Sequence, residues 1–161
     1  MSFSVELREK IDEIVSKSET KQSALIPVLH EVQNEYGWLS SESMKEVAEI
    51  LDIPSASVQN VATFYTMFFI KPVGKHVIWL CRTLSCALRG AEHIEHYISE
   101  KLGIHTGETT PDKKITLLEA ECLASCGTAP VMLVDNELYE NLTRKDIDEL
   151  IEKLLRDDFP K

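Results

Sequence analysis

Apolar positions in the first seventy residues recur at helical spacing. Leu7, Ile11, Ile14 and Val15 form one stripe, and Leu25, Val28, Leu29, Val32 and Tyr36 form a second that Gly37 closes as a C-cap. Pro27 is compatible with the second helix only in its first turn, where a missing N–H is tolerated. A third helix is predicted from Glu42 to Leu51, with Met44, Val47, Ala48 and Leu51 on one side and Asp52-Ile53-Pro54 as its stop. A fourth is predicted from about Ser57 into Thr63-Phe64-Tyr65. The stripes read as a helical bundle burying its own core. The run Phe64, Tyr65, Met67, Phe68 and Phe69 holds more large apolar side chains than one helix face can hide. Part of it is expected to pack against the second half of the chain or against another protein.

After Lys71-Pro72-Val73-Gly74 the pattern shortens to strands. His76 to Leu80 is an apolar run ending at Cys81, and a helix is predicted to open at Cys86-Ala87 and run to Leu102, capped by Gly103. His105 to Lys114 is polar and reads as a loop. Ile115 to Glu121 is a second strand ending at Cys122, Val131 to Val134 a third, and Leu138-Tyr139 a fourth across an Asp135-Asn136 turn. Thr143 caps a last helix through Leu155, with Asp146 in the capping-box position. The order β-α-β-β-β-α, in which a strand, a crossover helix and a parallel strand precede a hairpin and a helix, is the layout of a thioredoxin-like domain. The fold class is therefore α+β, with a helical bundle over residues 1–73 and a thioredoxin-like domain over 74–161. There is no internal repeat or low-complexity segment.

With 43% hydrophobic and 27% charged residues in 161, the chain has the balance of a folded protein. Its formal net charge of -10 would repel phosphate backbones and anionic lipid, which makes nucleic acid and membrane surfaces poor partners. The acidic excess is shared by both halves, so charge marks no boundary. No apolar run approaches the roughly 18 to 20 residues that span a bilayer. Glu6, Glu9, Asp12 and Glu13 among Arg8 and Lys10 resemble neither a signal nor a transit peptide. Four cysteines in such a chain point to a reducing compartment and to metal or redox roles over a disulfide framework.

All four cysteines lie in the second half. Cys81 and Cys86 are spaced C-x4-C, and Cys122 and Cys126 C-x3-C, each pair just past a strand. Two adjacent strands would bring both loops to one sheet edge, where four thiolates can converge. Dithiol exchange wants C-x-x-C at a strand-to-helix turn, which neither pair supplies. Zinc held by four cysteines and unrelated structural thiols remain alternatives, but the spacing favours a 2Fe-2S cluster on Cys81, Cys86, Cys122 and Cys126. Such a cluster is anionic. Residues 81–90 carry Arg82 and Arg89 and no acid, and 122–134 carry no charge, so the site is expected to be clear of carboxylates. Cys86 at a helix start would gain from free N–H groups. Gly127 would let the backbone approach the sulfurs, and Pro130 stands where thioredoxin-like folds have a cis-proline. His30, His76, His93, His96 and His105 pair with no cysteine at Rieske-type spacing and read as surface or packing residues. No Gly-rich nucleotide loop or nucleophile-base pair stands out, so the chain reads as an electron carrier without a substrate site.

Tyr36-Gly37-Trp38-Leu39, Val61 to Phe68, the Cys81/Cys86 pair and Glu121-Cys122-Leu123-Ala124-Ser125-Cys126-Gly127-Thr128-Ala129-Pro130 together resemble the E subunit of bacterial NADH-quinone oxidoreductase (respiratory complex I). That family belongs to the thioredoxin-like 2Fe-2S ferredoxins, and the likeness covers nearly the whole chain. It implies a component of an enzyme whose cluster takes one electron from the flavin of the NADH-oxidising subunit, off the main route to quinone. Cys81 and Cys86 would bind one iron and Cys122 and Cys126 the other, while FMN and NADH belong to that flavin-bearing partner and not to this chain. Residues 1–73 would dock the partner. The setting implied is the bacterial cytoplasm, peripheral to the inner membrane through other subunits of the complex. Homologous 2Fe-2S subunits of NAD-linked hydrogenases and formate dehydrogenases share the fold and motif, and a four-cysteine zinc interaction module is the alternative of another class.

Overall fold

The computed structural model describes residues 3–156. The chain divides into two compact units between Pro72 and Val73. The first holds helices α1 (Val5–Lys17), α2 (Leu25–Tyr36), α3 (Ser41–Leu51) and α4 (Ser55–Phe64). The apolar stripes supply its core: Leu7, Ile11, Leu25, Val28, Leu29, Val32, Val47 and Leu51 are buried together with Val58 and Ala62 of α4. Ser4 and Ser40 cap α1 and α3 by accepting the Leu7 and Ser43 N–H groups at 3.1 and 3.0 Å. Pro27 lies in the first turn of α2, and Gly37 ends that helix at φ 79°. Helix α4 starts earlier than its pattern suggests, because Pro54 occupies the N-cap position, where its ring clashes with nothing.

Two polar side chains missed by the periodicity fasten this unit. Glu46 of α3 is buried and accepts the Phe3 N–H at 2.8 Å and the Arg8 guanidinium at 2.6 Å, so its charge is compensated where it would be costly alone. Gln33 of α2 donates to the Met67 carbonyl at 2.9 Å and accepts the Phe69 N–H at 2.7 Å, which fixes the segment after α4. That segment divides its apolar residues. Phe68 turns inward against the His30 ring, centroids 4.9 Å apart, while Phe64, Tyr65, Met67 and Ile70 stay exposed.

The second unit is a four-stranded sheet with helices: β1 (His76–Cys81), α5 (Leu84–Leu88), α6 (Ala91–Leu102), β2 (Ile115–Ala120), β3 (Met132–Val134), β4 (Glu137–Tyr139) and α7 (Arg144–Leu155), with a 3-10 turn at Cys126–Thr128. Strand order is β2-β1-β3-β4. β1 and β2 are parallel, from His76 opposite Ile115 to Cys81 opposite Ala120, and β3 runs antiparallel to β1 and to β4. Ile78 and Leu80 of β1, Ile115 and Leu117 of β2, and Met132 and Val134 of β3 share a core with Ile94 and Ile98 of α6 and Ile147, Leu150 and Leu154 of α7. Alternate strand positions thus point at the two long helices. The capping box on α7 forms, with the Asp146 carboxylate accepting the Thr143 N–H at 2.8 Å.

The helix predicted from Cys86 to Leu102 is two helices. Gly90, at φ 89°, takes a left-handed conformation that ends α5 and begins α6 in a new direction. Cys86 is therefore the third residue of a five-residue helix and gains little from a helix dipole. The second strand stops at Ala120 and the third starts at Met132, each one residue inside its predicted limit. The Ala129–Pro130 peptide is cis.

Candidate functional site

The parallel pairing of β1 with β2 ends level, Cys81 beside Ala120. Both chains leave the sheet at the same edge, one into Cys86 on α5 and the other into Cys122 and Cys126, and α5 packs on the Cys126–Thr128 turn. Cys81 and Cys86 are buried, packed with Ala91, Ala129 and Val131. Cys122 and Cys126 are exposed. The two loops interlock through backbone N–H groups aimed at sulfur. Burial pushes the Cys81 thiol up, but hydrogen bonds from the Thr83 hydroxyl, from the Thr83 and Leu123 N–H groups and from Cys86 outweigh it and hold Cys81 below the ordinary thiol range. The Cys81 Sγ to Thr83 Oγ1 distance is 3.3 Å. Burial raises Cys86, the Val131 N–H opposes the rise, and the neighbouring Cys81 and Cys126 sulfurs add to it. Ala124, at φ 58°, donates its N–H to Cys122 Sγ at 3.4 Å.

This donor set fits an iron-sulfur cluster. It offers four thiols in two pairs, with N–H donors turned toward the sulfurs as an anionic cluster requires. Among the described residues, no three His, Cys, Asp or Glu side chains are grouped closely enough to enclose a single ion.

Carboxylates are nearer than the sequence suggests. Glu140, just after β4, accepts hydrogen bonds from the Ser125 and Thr128 hydroxyls in the Cys122–Cys126 loop. Arg82 is engaged by Glu119, at 3.2 Å, and by Glu121, so its charge is largely offset at the end of β2. A pocket of about 250 Å³ beside Cys81 is lined by Arg82, Glu92, Glu95 and Glu119. The window 122–134 is indeed uncharged, but the hairpin folds an acid back onto it. Nothing local in the sequence signals Glu140, which acts across a chain reversal, whereas Thr83 and the left-handed Ala124 act two residues from Cys81 and Cys122 and are missed because no motif marks them. Of the histidines, His93, His96 and His105 are exposed, His30 packs on Phe68, and His76 is buried with its Nδ1 2.8 Å from Asp135 Oδ2. His76 and Asp135 lie at the other end of β1 from Cys81.

The family model described as thioredoxin-like [2Fe-2S] ferredoxin matches residues 11–155. The chain belongs to this family. Membership implies a 2Fe-2S cluster as its cofactor. Over 149 residues it is 42% identical to the NADH-quinone oxidoreductase E subunit of Rickettsia bellii, covering 91% of this chain and 89% of that one. It is 38% identical to NADH-quinone oxidoreductase subunit 2 of Thermus thermophilus, over 94% and 85% of the two chains. The resemblance drawn from the motifs thus extends over nearly the full length of these relatives. A solved NAD+-reducing [NiFe]-hydrogenase in its air-oxidised state superposes with a TM-score of 0.74 at 22% identity, over 84% of this chain and 23% of the other, a likeness of fold.

Proposed function

We propose that Cys81, Cys86, Cys122 and Cys126 hold the 2Fe-2S cluster, and that the chain passes single electrons between it and the FMN of an NADH-oxidising partner subunit in a quinone-reducing complex. The observation that carries this reading is the level ending of the parallel β1–β2 pair, which delivers both cysteine pairs to one sheet edge. When bound, the cluster supplies a one-electron carrier. The rest is done by side chains and backbone. The Thr83, Leu123, Ala124 and Val131 N–H groups stabilise charge on the sulfurs, and packing of Cys81 and Cys86 against Ala91, Ala129 and Val131 keeps water from that side. Exposure of Cys122 and Cys126 leaves the opposite side open to an electron partner.

Partner docking fits the exposed apolar residues. Leu84 and Leu88, one turn apart on α5 and 74% and 78% exposed, flank the buried Cys86. In the helical unit Phe64, Tyr65, Met67 and Ile70 offer a second apolar surface, which we assign to the same flavoprotein. No helix among the described residues is long and apolar enough to cross a membrane, so attachment to the inner membrane, from its cytoplasmic side, runs through other subunits. Near full-length matching to the NADH-quinone oxidoreductase relatives supports this host over a hydrogenase or formate dehydrogenase. The chain itself carries electrons and leaves substrate binding to its partner. The test is anaerobic addition of NADH to the cluster-loaded chain with and without its co-purified flavoprotein, followed by electron paramagnetic resonance. A reduced 2Fe-2S signal is expected only with the flavoprotein; reduction by NADH without it would overturn the reading.

A further inference from the structure

The geometry points to Glu140 as a positioning residue that fastens the Cys122–Cys126 loop and, through its charge, holds the cluster's reduction potential down. The inference rests on the ligand set proposed above. Glu140 Oε1 accepts two hydroxyls, from Ser125 immediately before Cys126 and from Thr128 two residues after it. The two hydroxyl oxygens lie 2.8 Å apart with both protons given to Glu140, and the Thr128 N–H donates to the Ser125 carbonyl at 3.2 Å. One carboxylate oxygen therefore closes a ring of hydrogen bonds around the Cys126 backbone.

The tether comes from a rigid neighbour. Glu140 follows β4 directly, and the next two residues are anchored too, Asn141 N–H on the Thr128 carbonyl at 2.7 Å and Leu142 N–H on the Pro130 carbonyl at 3.1 Å. The 3-10 turn bearing Cys126 is thus bound to the hairpin, while its other side packs on α5, which bears Cys86. Partners that orient metal ligands in this way commonly affect retention of the group as strongly as some ligands do.

The charge has its own consequence. The two hydroxyl donors hold the Glu140 carboxyl below the ordinary glutamate range, so it is ionised at neutral pH. An all-cysteine 2Fe-2S cluster gains a further negative charge on reduction, and a carboxylate one loop away opposes that electron. Arg82, the cation nearest Cys81 in sequence, is already engaged by Glu119 and Glu121.

The experiment compares wild type, Glu140→Gln and Glu140→Ala as full-length chains loaded with iron and sulfide. Redox titration followed by electron paramagnetic resonance gives the midpoint potential, and bleaching by a chelator gives cluster retention. The amide oxygen of Gln still accepts both hydroxyls, so Glu140→Gln should retain its cluster near the wild-type rate while its potential rises, and the rise should shrink at high salt. Glu140→Ala should lose its cluster about 10-fold faster or more. A Glu140→Gln potential equal to wild type would overturn the inference, as would Glu140→Ala retention equal to wild type. Either failure leaves a wild-type 2Fe-2S spectrum intact and so spares the ligand assignment; a wild-type chain that takes up no cluster would sink both.

Discussion

Replacing Gly74 by alanine should loosen the sheet at the end opposite the cysteines. A Cβ built there lies 2.8 Å from both the nitrogen and the carbonyl carbon of Ile115 and 2.9 Å from the carbonyl carbon of Lys114. All three are backbone atoms, so no rotamer change relieves the contact, which is about 0.7 Å shorter than a comfortable carbon separation of about 3.5 Å. The strands must part instead. That strains the Gly74 N–H bond to Thr116 Oγ1 (2.6 Å) and the His76 N–H bond to the Lys114 carbonyl (2.8 Å). Overpacking costs about 1–3 kcal/mol and a weakened buried hydrogen bond about 1 kcal/mol, offset by about 0.4–1 kcal/mol from a stiffer unfolded chain. The net loss is about 1–3 kcal/mol, or a fall in Tm on the order of 10 °C for a unit this size. The assay is thermal unfolding of the full chain, with hydrogen exchange read at the β1 and β2 amides. Gly127→Ala, with both variants compared in the cluster-free chain, is the control, because beyond its chain neighbours its Cβ meets no protein atom within 4 Å. A Gly74→Ala chain as stable as wild type, with unchanged protection in β1, would refute the reasoning.

Three further outcomes are expected. Alanine at Cys81, Cys86, Cys122 or Cys126 should each destabilise or abolish the cluster, while replacing any single histidine should leave it bound; visible absorption and iron analysis decide, and a normal spectrum in Cys122→Ala would mean a different ligand set. A piece covering residues 74–161, reconstituted with iron and sulfide, should hold the cluster yet bind the flavoprotein much more weakly than the full chain, because it lacks the exposed Phe64, Tyr65, Met67 and Ile70; equal affinity in a binding titration would place docking on the cluster unit alone. Thr143→Ala should cost about 1 kcal/mol in chemical denaturation by uncapping α7. The partner in that cap, Asp146, is held below the ordinary aspartate range chiefly by the Thr143 hydroxyl, so its stabilisation is complete above the unfolded value and is lost as pH falls through the lowered folded one. The acid limb of the stability profile should therefore flatten in the variant.

What is legible in the sequence is whatever depends on near neighbours. Helical stripes, the Gly37 and Gly103 caps and the Thr143 box involve residues within one or two turns of each other, and they locate α1, α2, α3, α4 and α7 and the C-terminal end of α6. The cysteine pairs are legible for the same reason, since the members of each pair stand five and four positions apart. Gly90 misleads because a glycine inside an apolar helical pattern can be tolerated at a cost as well as break the helix; only its positive φ separates the cases. Glu140 is invisible because its partners lie 12 and 15 residues away across a hairpin whose register the sequence leaves open. Glu46 is hidden differently. It reads as a polar position on an amphipathic helix, and only Arg8 and the Phe3 N–H make its burial tolerable.

The two ends of β1 divide a single task. Slipping a strand by one residue turns every side chain to the other face, so the pairing that brings the Cys81 and Cys122 loops together must be fixed somewhere along only six residues. The cysteine end is poorly suited to fix it. Its loops contain a left-handed Ala124 and two exposed cysteines, and in the proposed ligand set they close around the cluster. The opposite end is dense with specific contacts: Gly74 lies flush on the Ile115 backbone, and Thr116 Oγ1 takes the Gly74 N–H. Asp135, in the β3–β4 turn, joins the His76 ring and the Val77 N–H at 2.8 and 2.9 Å. These bonds pin β1 to β2 on one side and to the hairpin on the other. Since Glu140 leaves that same hairpin to hold the Cys126 loop, register set at His76 reaches the second cysteine pair by two routes, through β2 to Cys122 and through β4 to Cys126. His76 is one of several contacts at this end, so its replacement alone leaves Gly74, Thr116 and the Asp135 bond to the Val77 N–H to hold the register.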